Sequence, residues 1–65
     1  MRKFIYVALD EDVLEIRDKD GNKVGEFENC FDGVVVFSAT ENTSFEEDDL
    51  AEILALLKLY KTKKG

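Results

Sequence analysis

The hydrophobic and polar positions of this chain change period once, near residue 44, from alternation typical of strands to helical spacing. Residues 3–9 are apolar on both alternating faces, which predicts a strand in the interior of a sheet. Residues 13–18 instead place Leu14 and Ile16 on one face and charged side chains on the other. This second strand is therefore predicted to have one face in water.

Two further strands follow. The Asp-Gly pair within residues 19–22 supports the backbone conformation of a tight hairpin turn, and residues 23–28 form the strand after it. Gly25 interrupts this third strand and its charges discourage stray pairing, so we expect it at a sheet edge. Residues 34–39 are β-branched and apolar on both faces, which predicts a strand with two covered sides, either within the fold or by a partner.

The last third of the chain has helical spacing. Ser44 and Glu47 have the spacing of a capping box, the first turn is acidic and lysines crowd the end, which predicts a helix from residue 45 to about residue 61. One apolar stripe is expected to lie on the sheet, and three other apolar side chains need cover from a sheet edge, from broader burial in the same core or from another chain. The stripe is Leu50, Ile53, Leu54 and Leu57, and the other three are Leu56, Leu59 and Tyr60.

These elements predict an α+β fold, a single ββββα domain over residues 1–65. A small antiparallel four-stranded sheet would be followed by one C-terminal helix packed across it. The strand order 3-2-1-4 would place residues 3–9 inside the sheet and leave residues 34–39 at an edge with an apolar outer face. A small barrel closed between the first and last strands is the alternative.

Composition narrows the chemistry of this chain, which has 65 residues, a net charge of −6, one cysteine and no histidine. A domain of this size buries only about 60% of its unfolded surface, and Cys30 has no partner for an internal disulfide, so self-association is the remaining stabiliser. Without histidine, the common zinc sites and the nucleophile–histidine pairs have no basis, and we expect no enzyme, no cofactor and no metal. Cys30, beside Phe31, is expected to be a small buried hydrophobe.

Two acidic segments resemble cation-binding loops only in part. Residues 18–22 match the start of an EF-hand calcium loop, but Lys23 replaces its glycine and Asn29 replaces its bidentate glutamate, so a hairpin turn is expected there. Residues 10–12 are three consecutive carboxylates, expected to form a solvated loop between strands. No apolar run has the length of a signal peptide core or a membrane span, and a cytoplasmic location is expected.

The distribution of charge is the most informative feature for function. Residues 41–52 carry six carboxylates and no base, whereas lysines gather at residues 58–64. The acidic part repels phosphate backbones, so no direct nucleic-acid binding is expected. Carboxylates on a helix can instead steer association with a Lys/Arg-rich protein surface. As the alternative to partner binding, acidic side chains at a helix N-terminus stabilise the helix, and net charge keeps a small protein soluble.

We therefore predict a non-enzymatic, small acidic protein-binding module. It would be a regulator or inhibitor, similar in style to compact inhibitors from phages and mobile elements, that docks on a basic surface of a larger protein such as a nucleic-acid-binding one. The predicted contact residues are Glu46, Glu47, Asp48, Asp49 and Glu52 for charge, with Leu56, Leu59 and Tyr60 as apolar anchors.

Two alternatives stay open. The first is a self-associating structural or assembly subunit, a homodimer through strand 34–39 and the end of the helix. The second is a weak nucleic-acid binder that uses the lysine tail together with the aromatic residues Phe4 and Tyr6 of the sheet.

Overall fold

The structure is a computed structural model that describes residues 3–64, with side chains for residues 3–63. Four antiparallel strands form one sheet and a single C-terminal helix follows them, so the predicted α+β fold is confirmed. The elements are β1 (Phe4–Ala8), β2 (Leu14–Asp18), β3 (Lys23–Glu28), β4 (Val36–Ala39) and α1 (Glu47–Lys64). Within the described residues, no helix is long and apolar enough to cross a membrane.

The strand order is β1-β2-β3-β4, so the predicted order 3-2-1-4 is wrong. Each strand pairs with its neighbour in the chain, because short connections bring consecutive antiparallel strands together. β1 is therefore an edge strand and β3 is an interior strand, the reverse of the prediction. β4 pairs with β3 and not with β1, which leaves the described sheet open and removes the barrel alternative.

The hairpin between β2 and β3 has the predicted turn. Gly21 adopts a φ of 87°, which is the left-handed region that glycine enters without steric cost. The carboxylate of Asp18 accepts hydrogen bonds from the amides of Asp20 and Asn22, both at 2.9 Å. The bond from the Asn22 amide is the main reason why the pKa of Asp18 is lowered. These local bonds hold the Asp18 carboxylate within the turn.

The interior strand β3 has a glycine at position 25 because the ring of Phe37 lies across the backbone there. A Cβ atom at this position would lie 2.4 Å from Cζ of Phe37 and 2.9 Å from the carbonyl oxygen of Ser38. The ring of Phe37 is held in place by Phe27, at 4.8 Å between centroids, and by Phe45, at 5.9 Å. The missing side chain thus marks a close approach within the sheet and not an edge strand.

The core lies between α1 and one face of the sheet. The most deeply buried side chains are those of Leu14, Ile16 and Cys30, so Cys30 is the buried hydrophobe that the sequence predicts. Burial also raises the pKa of the Cys30 thiol. The complete set of buried apolar residues is Phe4, Leu14, Ile16, Phe27, Cys30, Ile53, Leu56, Leu57 and Tyr60.

The buried stripe of α1 differs from the predicted one. Leu50 and Leu54 are 51% and 47% exposed, so the prediction that they pack on the sheet is wrong. The buried apolar positions of the helix are Ile53, Leu56, Leu57 and Tyr60. They follow Asp49 at helical spacing, and Asp49 is itself buried. The helix is therefore rotated about its axis so that a carboxylate at its first turn faces the sheet.

The start of α1 also differs from the predicted capping box of Ser44 and Glu47. The helix begins at Glu47, and the amide of Glu46 donates a hydrogen bond of 3.0 Å to the carboxylate of Asp49. This is one half of a capping box shifted by two residues, with Glu46 as the capping position. Asp49 can take this role because it is the third residue of the helix, the position whose side chain reaches back to the amide of the capping residue.

Candidate functional site

The acidic first turns of α1 divide into two groups with different roles. Glu46, Glu47 and Asp48 are exposed to solvent. Asp49 is buried and Glu52 is half-buried, and both bind groups at the start of the chain. The five carboxylates that the sequence predicts as one contact surface therefore contain an exposed triplet and two residues that hold the fold together.

Asp49 joins the helix to the beginning of β1. Its carboxylate lies 3.1 Å from Nζ of Lys3 and also accepts the bond from the Glu46 amide. These two contacts, the amide bond first, lower the pKa of Asp49. The hydrogen bond to Asp49 raises the pKa of Lys3 in return. Both carboxylate oxygens of Asp49 are therefore already bonded within the protein, which leaves little for an external partner to bind.

Glu52 binds the backbone at the same place. Its Oε2 atom accepts hydrogen bonds from the amides of Lys3, at 2.7 Å, and Phe4, at 2.8 Å. Bonds from two amides to one carboxylate are strong because the acceptor is charged. They occupy backbone donors at the start of the β1 edge, and they hold the first residues of β1 against α1.

The three predicted apolar anchors are also divided. Leu56 and Tyr60 lie in the core, as in the alternative of broader burial in the same core, and are not surface anchors. The Tyr60 hydroxyl lies 3.2 Å from the carbonyl oxygens of Asp10 and Glu11, and burial raises its pKa. Leu59 is at the margin of exposure and is the one anchor of the three that a partner could touch.

The carboxylates of residues 10–12 organise a loop of the protein itself. Asp10 accepts hydrogen bonds from the amides of Asp12, at 2.8 Å, and Val13, at 3.0 Å. The carboxylate of Asp12 accepts a hydrogen bond of 3.1 Å from the amide of Phe31, which joins this loop to the connection between β3 and β4. Over residues 3–63, no group of three or more His, Cys, Asp or Glu side chains is arranged to hold a metal ion.

The two aromatic residues predicted to help the lysine tail bind nucleic acid, Phe4 and Tyr6, are not available on the surface. Phe4 is buried in the core, and the ring of Tyr6 packs edge-on against Tyr60 at 5.7 Å between centroids. Neither ring is free to stack on a base. The ammonium group of Lys61 lies 5.8 Å from the centroid of Phe31, so one lysine of the tail is engaged with the protein.

The sequence prediction missed the sheet face opposite α1, called here the open face. Ile5, Val7 and Leu9 are exposed along its β1 side. Glu15, beside Val7 in the register, is only 6% exposed, and its carboxylate lies 3.0 Å from the guanidinium of Arg17. The alternation of residues 3–9 contains this signal, but an apolar second face predicts burial, and only the strand order and the position of α1 leave that face open.

Comparison with protein-family models, with curated proteins and with solved structures finds no match to this chain.

Proposed function

We propose that this chain is a non-enzymatic protein-binding module, a regulator or inhibitor that docks on a basic surface of a larger protein. The observation that carries the proposal is the exposed triplet Glu46, Glu47 and Asp48. Within the described residues none of the three side chains forms an ion pair, whereas Asp49 next to them is fully engaged. Asp49 already caps the helix, so the triplet exceeds what the helix terminus requires.

The surrounding sequence strengthens the field of this triplet. Residues 24–57 contain nine carboxylates and no lysine or arginine, and only Asp49 and Glu26 among the nine are paired with a lysine, Lys3 and Lys23, within the described residues. Like charges on one surface raise the negative potential in front of it and speed the approach of a cationic partner. A partner that binds nucleic acid fits this chemistry, because its own surface is built to receive negative charge. The proposed setting is cytoplasmic, and the proposed style is that of compact inhibitors from phages and mobile elements.

The test compares affinity capture from the native host by the wild-type chain and by Glu47→Lys/Asp48→Lys. Both changes are at exposed positions, so we expect the fold to persist while capture of the basic partner is lost. Capture by the wild type should also weaken as the salt rises above about 0.1 M, where the Debye length is about 10 Å. Each captured protein is identified by mass spectrometry and then retested in purified form.

A matched control keeps the same change in net charge at another place. Glu11→Lys/Asp20→Lys reverses two exposed carboxylates that lie outside the helix. This variant should capture the partner nearly as well as the wild type. Equal loss of capture in the two variants would mean that only bulk charge matters, and unchanged capture in both would contradict the proposal.

Self-association is a second candidate, supported by the exposed side chains of Ile5, Val7 and Leu9 on the open face. Apolar side chains grouped on one sheet face are typical of surfaces that another chain covers. Light scattering over a dilution series tests this candidate. A monomer at every concentration would remove it, and an Ile5→Lys variant should dissociate any dimer that uses this face.

A further inference from the structure

The outer edge of β4 carries backbone groups that the described sheet does not use. The amide of Thr40 donates to the carbonyl of Val24 at 2.9 Å, so backbone groups at this position point toward β3. Because this direction alternates along a strand, the groups of Phe37 and Ala39 point away from β3. Within residues 3–64 the only strand paired with β4 is β3. An additional strand could therefore hydrogen-bond to this edge.

The two edges of the sheet differ in their protection. At the β1 edge, the carboxylate of Glu52 accepts a hydrogen bond from the amide of Phe4, so this backbone donor is no longer free for another strand. Residues 33–40, which include β4, contain no charged residue and no proline, two of the devices that block an edge. Val34 and Val36 are 80% and 47% exposed there. Residues 4–9 of the β1 edge are likewise uncharged, so the bond from Glu52 is the difference between the two edges, and we take β4 as the edge for strand addition because no side chain of the described residues is bonded to its backbone.

The charges around β4 indicate which kind of strand would bind. Glu28 and Asp32 are exposed near the start of β4, and Glu41 is exposed just after its end. Glu46 follows Phe45, whose ring packs on Phe37 of this strand. The start of the edge is therefore acidic, and at its end Glu41 and Glu46 outweigh Lys23, which is itself paired with Glu26. An incoming strand with lysine or arginine at its ends would be complementary to this charge.

The same charges disfavour a second copy of this chain. β4 spans Val36–Ala39, so in an antiparallel pair of two β4 strands the start of each strand would lie beside the end of the other. Asp32 precedes the start and Glu41 follows the end, so the acidic flanks of the two copies would come close at both ends of the pair. Like charges placed opposite each other destabilise a strand pair.

We propose that β4 binds an extended, basic-flanked segment of a partner protein as a fifth strand of the sheet. This inference rests on the proposed function and adds the way in which the basic partner attaches. Backbone hydrogen bonds to β4 would supply affinity, and the lysine or arginine residues at the ends of the segment would supply selectivity.

The test uses a synthetic peptide of alternating valine and threonine with lysines at both ends. We expect it to slow the hydrogen exchange of the Phe37 and Ala39 amides, measured by NMR on the full chain. A peptide with glutamates in place of the lysines should bind more weakly. Methylation of the peptide amides that face β4 should reduce affinity about tenfold or more, the equivalent of about one or two net hydrogen bonds.

A protein variant gives a second measurement. Ala39→Pro removes an amide that points away from β3, so it should weaken peptide binding while the bond between Thr40 and Val24 stays. The N-methylated peptide makes the same comparison with an unchanged protein, so the test does not depend on the folding of this variant.

Three results would overturn the proposal. One is the absence of slowed exchange along β4 at peptide concentrations up to saturation or solubility. Another is peptide binding that Glu47→Lys/Asp48→Lys weakens but N-methylation does not, which would leave the proposed function intact and reject strand addition. The third is protection of the Phe37 and Ala39 amides that grows with protein concentration in the absence of peptide, because a second copy would then occupy the edge.

Discussion

Replacement of Gly25 by alanine tests the close packing of β3 under β4. The added methyl group would lie 2.4 Å from Cζ and 2.8 Å from Cε1 of Phe37, and 2.9 Å from the carbonyl oxygen of Ser38. All three distances are shorter than a normal van der Waals contact. The ring has little room to retreat because Phe27 and Phe45 pack against it. The backbone of β4 must therefore move, or the ring must leave its position.

The expected cost follows from two opposing effects. Overpacking of this kind costs about 1–3 kcal/mol. Alanine also restricts the unfolded chain, which favours folding by about 0.4–1 kcal/mol when the native backbone accepts it. The clash is the larger effect because one of the three contacts is to backbone, so we expect Gly25→Ala to lower the free energy of unfolding by about 1–2 kcal/mol. In a domain of this size the melting temperature would fall by about 5–15 °C.

Urea denaturation followed by circular dichroism measures this change. In a Phe37→Leu background the cost of Gly25→Ala should shrink by about 0.5 kcal/mol or more, because the contacting ring atoms are gone. Gly33→Ala is a control: its cost arises from a φ of 89° with no atom within 4 Å, so it should not depend on Phe37. A Gly25→Ala variant as stable as the wild type would refute the reasoning, and so would a cost that Phe37→Leu leaves unchanged.

Three further predictions concern the helix and the thiol. Ile53→Ala should destabilise the fold by about 2–5 kcal/mol and Leu54→Ala by less than about 1 kcal/mol in the same denaturation assay, because only Ile53 is buried. The wild type should be more stable than Asp49→Asn near neutral pH, and this advantage should fade as the pH falls below 3.8, because the pKa of Asp49 is lowered from that value in the folded state. Urea denaturation midpoints measured across pH test this, and midpoints of the two proteins that run parallel would contradict it. The Cys30 thiol should react with a thiol reagent far more slowly in the native protein than in denaturant, and equal rates would contradict its burial.

The candidate site was only partly predictable. Acid at residues 46–52 is visible in the sequence, but its division into exposed and engaged carboxylates is not. Asp49 and Glu52 differ from Glu47 and Asp48 only because the start of β1 lies beside them and provides two amides and an ammonium group. A contact between positions more than forty residues apart leaves no signal in local charge patterns.

The sequence by itself determined the elements, since strand alternation, the Asp-Gly turn and the acidic start with a lysine-rich end of the helix are local properties. It also determined the fold class, because one sheet and one amphipathic helix have few ways to cover each other. The order of the strands, the rotation of α1 and the burial of Tyr60 were decided only by tertiary structure. Each of these three features depends on contacts between residues that are distant in the chain, such as Asp49 with Lys3. A strand that is apolar on both faces has the same sequence pattern whether its second face is covered or open.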